Sequence, residues 1–237
     1  MSLKITRDET GASVSTARGP LLIRQVFGIG QNYAKHAAEM GGALPERPVV
    51  FTKNPMAVIP SGEAIVIPRI CQDREQVDYE GELAVIIGRA ARDVPKASAL
   101  EFVLGYAAAN DVSARWWQKQ GSGGQFCRGK GFDTFCPLSE VVERERVPDP
   151  GVLRLVTRLN GQVMQDSSTS DMIFDVPTLV SELSRGTTLL PGTVILTGTP
   201  SGVGTARTPP VYLKAGDVVE VEIERVGVVK SPVRAEA

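Results

Sequence analysis

Apolar and polar positions along the chain fall into short periodic blocks. From Leu83 to Ile87 every residue is apolar without alternation, the pattern of a strand covered on both faces. Thr193 to Thr197 reads as a second buried strand, which opens into the glycine-rich segment SGVG. GDVVEVEIERVGVVKSPV instead alternates Val219, Val221 and Ile223 with Glu220, Glu222 and Glu224, predicting a half-exposed antiparallel strand that turns near Gly227. LLIRQVFGIG predicts a strand closing on Gly28 and Gly30, PVVFTK a short strand ending at Lys53, and GYAAAN a strand of small residues. Asn160 and Gly161 stand between two strand patterns, the pair a type I′ hairpin turn prefers.

Helices are few. QNYAKHAAEM is rich in helix formers, and Ser98 with Glu101 has capping-box spacing, predicting a helix from about Ala99. Asp175 as cap and Pro177 in the first turn predict a helix to about Ser184, stopped by Gly186. Many short strands, few helices and no βαβ alternation make the fold class α+β, dominated by mixed sheets. No composition break divides the chain; a short polar segment, residues 1–21, precedes one domain over 22–233.

Charge changes the picture by exclusion. With 26 Lys and Arg against 27 Asp and Glu, the chain lacks the basic surface of a duplex nucleic-acid binder. No apolar run reaches a membrane span, and the polar start is not a secretory signal. Cys71, Cys127 and Cys136 form no CxxC pair, predicting half-buried reduced thiols in a cytoplasmic protein.

Candidate chemistry begins in VDYEGELAVIIG. Asp78, Glu80 and Glu82 precede the apolar run at every second position, so one continuous strand points all three to one face, roughly 6 to 7 Å apart. Such acids either sit at a solvated strand end or hold a cation. His36, the sole histidine, lies three residues before Glu39, so a helix puts the imidazole and a carboxylate that can orient it on one face. Asn110, Asp111, Ser113, Arg115 and Gln118 form a polar cluster after the alanine-rich strand. Gly124 to Lys130 fits GxxxxGK, but Gly131 replaces the hydroxyl residue a P-loop needs, leaving Lys130 as a lysine in a glycine-rich loop. Gly41 and Gly42 follow HAAEM and predict a mobile lid over residues 33–42.

Taken together, GxNYxxHxxE at Gly30 to Glu39, DYExELAxxIG at Asp78 to Gly88, NDVSAR at Asn110 to Arg115, GKGFDTFCPL from Gly129, NG with MIF between Asn160 and Phe174, and LTGTPSGVG from Leu196 resemble the fumarylacetoacetate hydrolase family. The resemblance implies a mixed β-roll with a few flanking helices, a homodimer, and one Mg2+ or Mn2+ per subunit. It implies metal ligands at Glu80, Glu82 and Asp111, and a catalytic dyad at His36 and Glu39 with Lys130. Substrate contacts are implied at Tyr33, Lys53, Arg115, Gln118, Gly198 and Thr199. Trp116 and Trp117 stand where the family often has Asp, and Gly131 where it often has Ser; both places flank the expected pocket.

An all-oxygen ligand set suits a hard cation. Arg115, Lys130 and Lys53 are expected to reverse the negative charge locally and admit a small anionic 2-oxo acid. The expected reaction is hydrolysis of a carbon–carbon bond next to the carbonyl of a 2-oxo acid or acylpyruvate. Decarboxylation of an oxaloacetate-type acid and keto–enol or double-bond isomerisation use the same electron sink. A non-catalytic metal or metabolite binder is the remaining alternative.

Overall fold

The structure, a computed structural model, describes residues 2–39, 41 and 44–237. Its frame is a mixed sheet with the path Ser2–Leu3, Val141–Glu143, Val103–Asn110, Gly81–Ile87, Val194–Leu196, Val26–Gly30 and Val49–Lys53. Gly81–Ile87 lies inside that sheet, with Ala84 opposite both Ala107 and Leu196. Its two faces feed different cores, which is why no polar residue interrupts the run. Leu83, Val85 and Ile87 pack with Val180, Leu155 and Ile223, while Ala84 and Ile86 pack with Val14, Val58 and Leu138.

A second sheet runs Gln162–Ser168, Arg154–Leu159, Val218–Ile223, Gly227–Ala235 and Ile65–Ile67. The predicted alternation holds: Val219, Val221 and Ile223 are buried, and their glutamate neighbours face out. Parallel pairs, such as Val194–Leu196 with Val26–Gly30 and Val233–Ala235 with Ile65–Ile67, make the architecture mixed. Asn160 and Gly161 have φ of 52° and 81°, the left-handed pair a type I′ turn requires. Asp175 caps the helix Val176–Ser184 by accepting from the Thr178 amide at 2.9 Å.

Several expectations change. LLIRQVFGIG is two strands, Gly19–Leu22 and Val26–Gly30, because the first pairs with Gly11–Thr16 and the second with the main sheet. Between them the Gln25 side chain accepts from the Leu190 amide and the Thr193 hydroxyl. Residues 5–22 form a three-stranded sheet that buries Ile5, Ala12 and Val14 in the second core. The predicted helix near Ala99 is a 3-10 helix, Lys96–Phe102. No capping box forms there, since Ser98 donates to the Pro95 carbonyl and Glu101 pairs with Arg89. The thiols also separate: Cys71 and Cys136 are buried, Cys127 is exposed, and all three are free. Among the described residues no helix is long and apolar enough to cross a membrane.

Candidate active site and metal centre

The acidic stretch is not one strand. Val77–Asp78 pairs with Ser113–Ala114, whereas Gly81–Ile87 pairs with Val103–Asn110, so Tyr79 and Glu80 fall between two ladders. Their backbone is taken up by the opposite segment: the Glu80 amide donates to Asn110 Oδ1 at 3.0 Å, and the Asp111 amide donates to the Glu80 carbonyl at 2.8 Å. The break parts Asp78 from the other two acids and brings Glu80, Glu82 and Asp111 together, each offering an oxygen within 4.8 Å of the others. The even spacing of three acids on one face therefore does not hold. Nor are they at a solvated end: Asp78, Glu80, Glu82 and Asp111 are exposed by 5% or less. Buried carboxylates need cations, and this centre supplies three from the chain itself.

Lys130 is the first. It sits on the short helix Phe126–Lys130, is 2% exposed, and so is not the loop lysine the sequence suggested. Its ammonium donates to Glu80 Oε2 at 2.8 Å, Asp111 Oδ2 at 2.6 Å and Ser113 Oγ at 2.7 Å. Lys53 Nζ reaches Asp111 Oδ1 at 2.5 Å and the Val112 carbonyl at 3.2 Å. Arg115 places Nη1 2.6 Å from Glu80 Oε1 and donates to Gln118 Oε1 at 3.0 Å, while Asp78 holds its other edge. All three cations are thus spent on protein carboxylates, which corrects the expectation that they reverse the local charge for a ligand.

Burial opposes ionisation of Glu80, but Lys130 and Arg115 outweigh it and hold the carboxyl well below its usual range. Glu82 goes the other way: burial, then Asp111 and Glu80, push it well above. Burial likewise works against the charge on Lys130, and Asp111 and Glu80 more than restore it. A set of buried carboxylate oxygens, one of them crowded by like charge, fits a hard divalent cation.

His36 and Glu39 lie on the predicted helix, Ala34–Glu39, with Nδ1 3.2 Å from Glu39 Oε2. His36 lines a cavity of about 130 Å³ together with Glu80, Arg115, Gln118, Lys130 and Thr199. Lys119, Gln31 and Phe126 also line it. Trp116 and Trp117 do not; they stack edge to face beside Phe132, under Arg74 and Arg128. Tyr33 borders a different cavity, with Ser167, Asp171 and Pro200, and its buried hydroxyl has no hydrogen-bond partner among the described residues. Lys53 approaches Asp111 without lining the His36 cavity, and Gly198 contributes its backbone amide to Glu82 Oε2 at 2.6 Å. Met40 and Gly42, at the end of the predicted lid, lie outside the described residues.

The loop after Val194–Leu196 does more than its glycines suggested. Besides the Gly198 contact, Gly202 N–H donates to Glu39 Oε1 at 3.0 Å, and Gly204 and Thr205 N–H donate to Asp78 at 2.8 and 3.0 Å. Gln165 braces it, donating to Thr199 Oγ1 at 2.8 Å and the Pro200 carbonyl at 2.9 Å while accepting from the Gly81 amide at 2.9 Å. Sequence reasoning passed over Gln165, which carried no signal; Ser113 was named only within the polar cluster and Asp78 only within the acidic stretch, neither with the contact it makes. Gly129 was also missed. A Cβ there would stand 2.4 Å from the Gln118 amide nitrogen and 2.7 Å from the Ala114 carbonyl, so glycine alone lets the Lys130 helix close on Arg115–Gln118.

Comparison with known proteins places this arrangement. The family model described as fumarylacetoacetate (FAA) hydrolase C-terminal matches residues 25–234. The chain belongs to that family. Oxaloacetate tautomerase YisK of Bacillus subtilis is 42% identical over 213 residues, 89% of this chain and 69% of that protein. Mitochondrial oxaloacetate tautomerase fahd2 of Xenopus laevis is 41% identical over 210 residues, 88% of this chain, which spans 65% of that relative's length. Among solved structures, fumarylpyruvate hydrolase from Pseudomonas aeruginosa in complex with Mn2+ and pyruvate superposes with a TM-score of 0.83 at 29% identity, covering 100% of this chain and 97% of that one. The mixed, sheet-dominated fold expected of the fumarylacetoacetate hydrolase family is the fold observed.

Proposed function

We propose that this chain moves a proton at the carbon next to the carbonyl of a small 2-oxo dicarboxylate, interconverting keto and enol forms, with Mg2+ or Mn2+ held by Glu80, Glu82 and Asp111. The observation that carries this reading is His36, backed by Glu39, lining one small cavity with Arg115, Lys130 and Thr199. The cavity, of about 130 Å³, is of a scale for a small acid. The tautomerase names of the Bacillus and Xenopus relatives support the same choice. Bound there, the cation would supply a Lewis acid that stabilises enolate charge.

The protein's own part is positional and acid–base. Glu39 accepts a proton bond from His36 Nδ1, which fixes the tautomer and leaves Nε2 free to take a proton from carbon and return it to oxygen. Gln118 and Thr199 offer polar contacts to substrate oxygens, while Lys130 and Arg115 balance the buried carboxylates Glu80, Asp111 and Asp78 behind the cavity wall. Tyr33, Lys53 and Gly198 do not border that cavity; Lys53 orients Asp111 and Gly198 orients Glu82, and Tyr33 takes no part in the step.

Stopped-flow loss of oxaloacetate enol absorbance, with added Mn2+ and no change of mass, tests the reading. His36→Ala should slow it roughly 10²-fold or more while Mn2+ binding survives. Full activity in that variant would remove His36 as the base. Hydrolysis is the second reading, favoured by the same dyad, since an imidazole oriented by a carboxylate also activates water. Pyruvate released together with a carboxylic acid from an acylpyruvate would replace tautomerisation with it; carbon dioxide release from oxaloacetate would favour decarboxylation.

A further inference from the structure

A dianionic substrate poses a charge problem at this centre. Asp78, Glu80, Glu82 and Asp111 bring four carboxylates, and Lys53, Arg115 and Lys130 bring three cations, leaving a formal charge of −1. A divalent ion held as proposed above makes that +1, and a dicarboxylate returns it to −1. One carboxylate therefore lacks a counter-charge, and none of the three buried cations is free to give one. Arg115 is shared by Asp78 and Glu80, Lys130 by Glu80 and Asp111, and Lys53 is on Asp111.

Lys119 is different. Of the cationic side chains lining the His36 cavity it alone has no ion pair among the described residues. It is exposed and lines the cavity directly after the buried Gln118. Its backbone is fixed: its amide donates to the Arg115 and Trp116 carbonyls, both at 3.2 Å, and its carbonyl accepts from the Gly124 amide at 2.7 Å. The ammonium is thereby tethered to the same short helix that carries Arg115 and Gln118, yet keeps its hydration and its freedom to swing over the opening. A lysine so placed is a point charge that meets the end of the ligand farthest from the buried acids.

We infer that Lys119 is a specificity-determining residue that takes the distal carboxylate of a dicarboxylate, so that the cavity selects 2-oxo diacids over monoacids. The inference rests on the reading of the cavity as the substrate site, but not on which reaction follows. A suitable test uses reduced, unreactive ligands on the Mn2+-loaded protein: malate, with two carboxylates, against 2-hydroxybutyrate, which has the same chain length and one.

By calorimetry the wild type should bind malate more tightly, and increasingly so as ionic strength falls. Lys119→Ala should lose about 2- to 5-fold in malate affinity, the scale of one exposed charge pair, with 2-hydroxybutyrate unchanged. Lys119→Arg should retain the preference and Lys119→Glu should reverse it. A wild type that does not prefer malate, or a Lys119→Ala variant that keeps the preference or loses both ligands equally, would overturn the assignment. Selective malate binding through Lys119 without keto–enol proton transfer on oxaloacetate would instead sink the tautomerase reading and leave Lys119 assigned.

Discussion

Asp78 grips one edge of Arg115, accepting from Nε at 2.8 Å with Nη2 at 2.7 Å, where the Asp78 side chain has no solvent exposure. The guanidinium's remaining nitrogen reaches Glu80, so Asp78 sets the position of a residue on the cavity wall without lining the cavity itself. Replacing Asp78 with Asn leaves Arg115 with one buried carboxylate instead of two and turns an amide NH2 towards backbone donors. Breaking a buried pair in this way costs about 3–5 kcal/mol. A urea denaturation midpoint that falls at unchanged slope should register it.

Glu82→Gln should separate metal binding from stability. Burial, Asp111 and Glu80 all oppose a charge on Glu82, so a neutral amide in its place relieves repulsion in the metal-free protein. Its melting temperature without metal should equal or exceed that of the wild type. Mn2+ affinity, titrated by electron paramagnetic resonance, should fall by about 10²-fold as one of three carboxylates is lost.

Gly129→Ala should do the reverse and loosen the frame. The new Cβ meets backbone of Arg115–Gln118 and its approach, not a side chain that can turn away. Overpacking of this kind costs about 1–3 kcal/mol. Because the two short helices carry Lys130 on one side and Arg115 with Gln118 on the other, KM should rise along with the loss of stability.

The three cysteines should react very unequally. Burial pushes the Cys71 and Cys136 thiols up to about 12, and Cys127 is exposed. Iodoacetamide at pH 8 should label Cys127 alone in the native protein and all three in urea, read by intact mass. The pH dependence follows from the same shifts. Thiols whose native values lie above the ordinary value of 9.0 favour the folded state fully below that value and lose that stabilisation as pH rises towards 12. Unfolding midpoints should therefore drop across this alkaline window, by up to about 1.4 kcal/mol per thiol per pH unit.

What the sequence made legible was local. Leu83 to Ile87, the Asn160 and Gly161 turn, the Asp175 cap and the Val219 to Ile223 alternation each depend on neighbours in the chain, and each is observed. Candidate site residues came from the ordered motifs of a family, and eight of the positions named lie together as buried side chains or on the cavity wall: His36, Glu80, Glu82, Asp111, Arg115, Gln118, Lys130 and Thr199. What stayed hidden depends on distant partners. The break at Tyr79 and Glu80 comes from Asn110 and Asp111, thirty residues on. Lys130 is buried because Gly129 admits a second helix, and periodicity cannot express that. The three-stranded sheet of residues 5–22 was hidden by its own economy: Ala12 and Val14 are too small and too widely set among polar residues to announce a strand.

The loop from Gly198 to Thr205 has a consequence for how the site tolerates change. Its peptide N–H groups hold Glu82 of the acidic triad, Glu39 of the dyad and Asp78 behind Arg115. Main-chain donors survive side-chain replacement, but Gly198, Gly202 and Gly204 leave no room for a Cβ, so the loop's sequence can drift only between them. On the roles proposed above, any force that shifts this one segment would disturb the acidic triad, the His36–Glu39 pair and the seat of Arg115 in common mode, which makes the loop a single mechanical adjustment for three separate parts of the site.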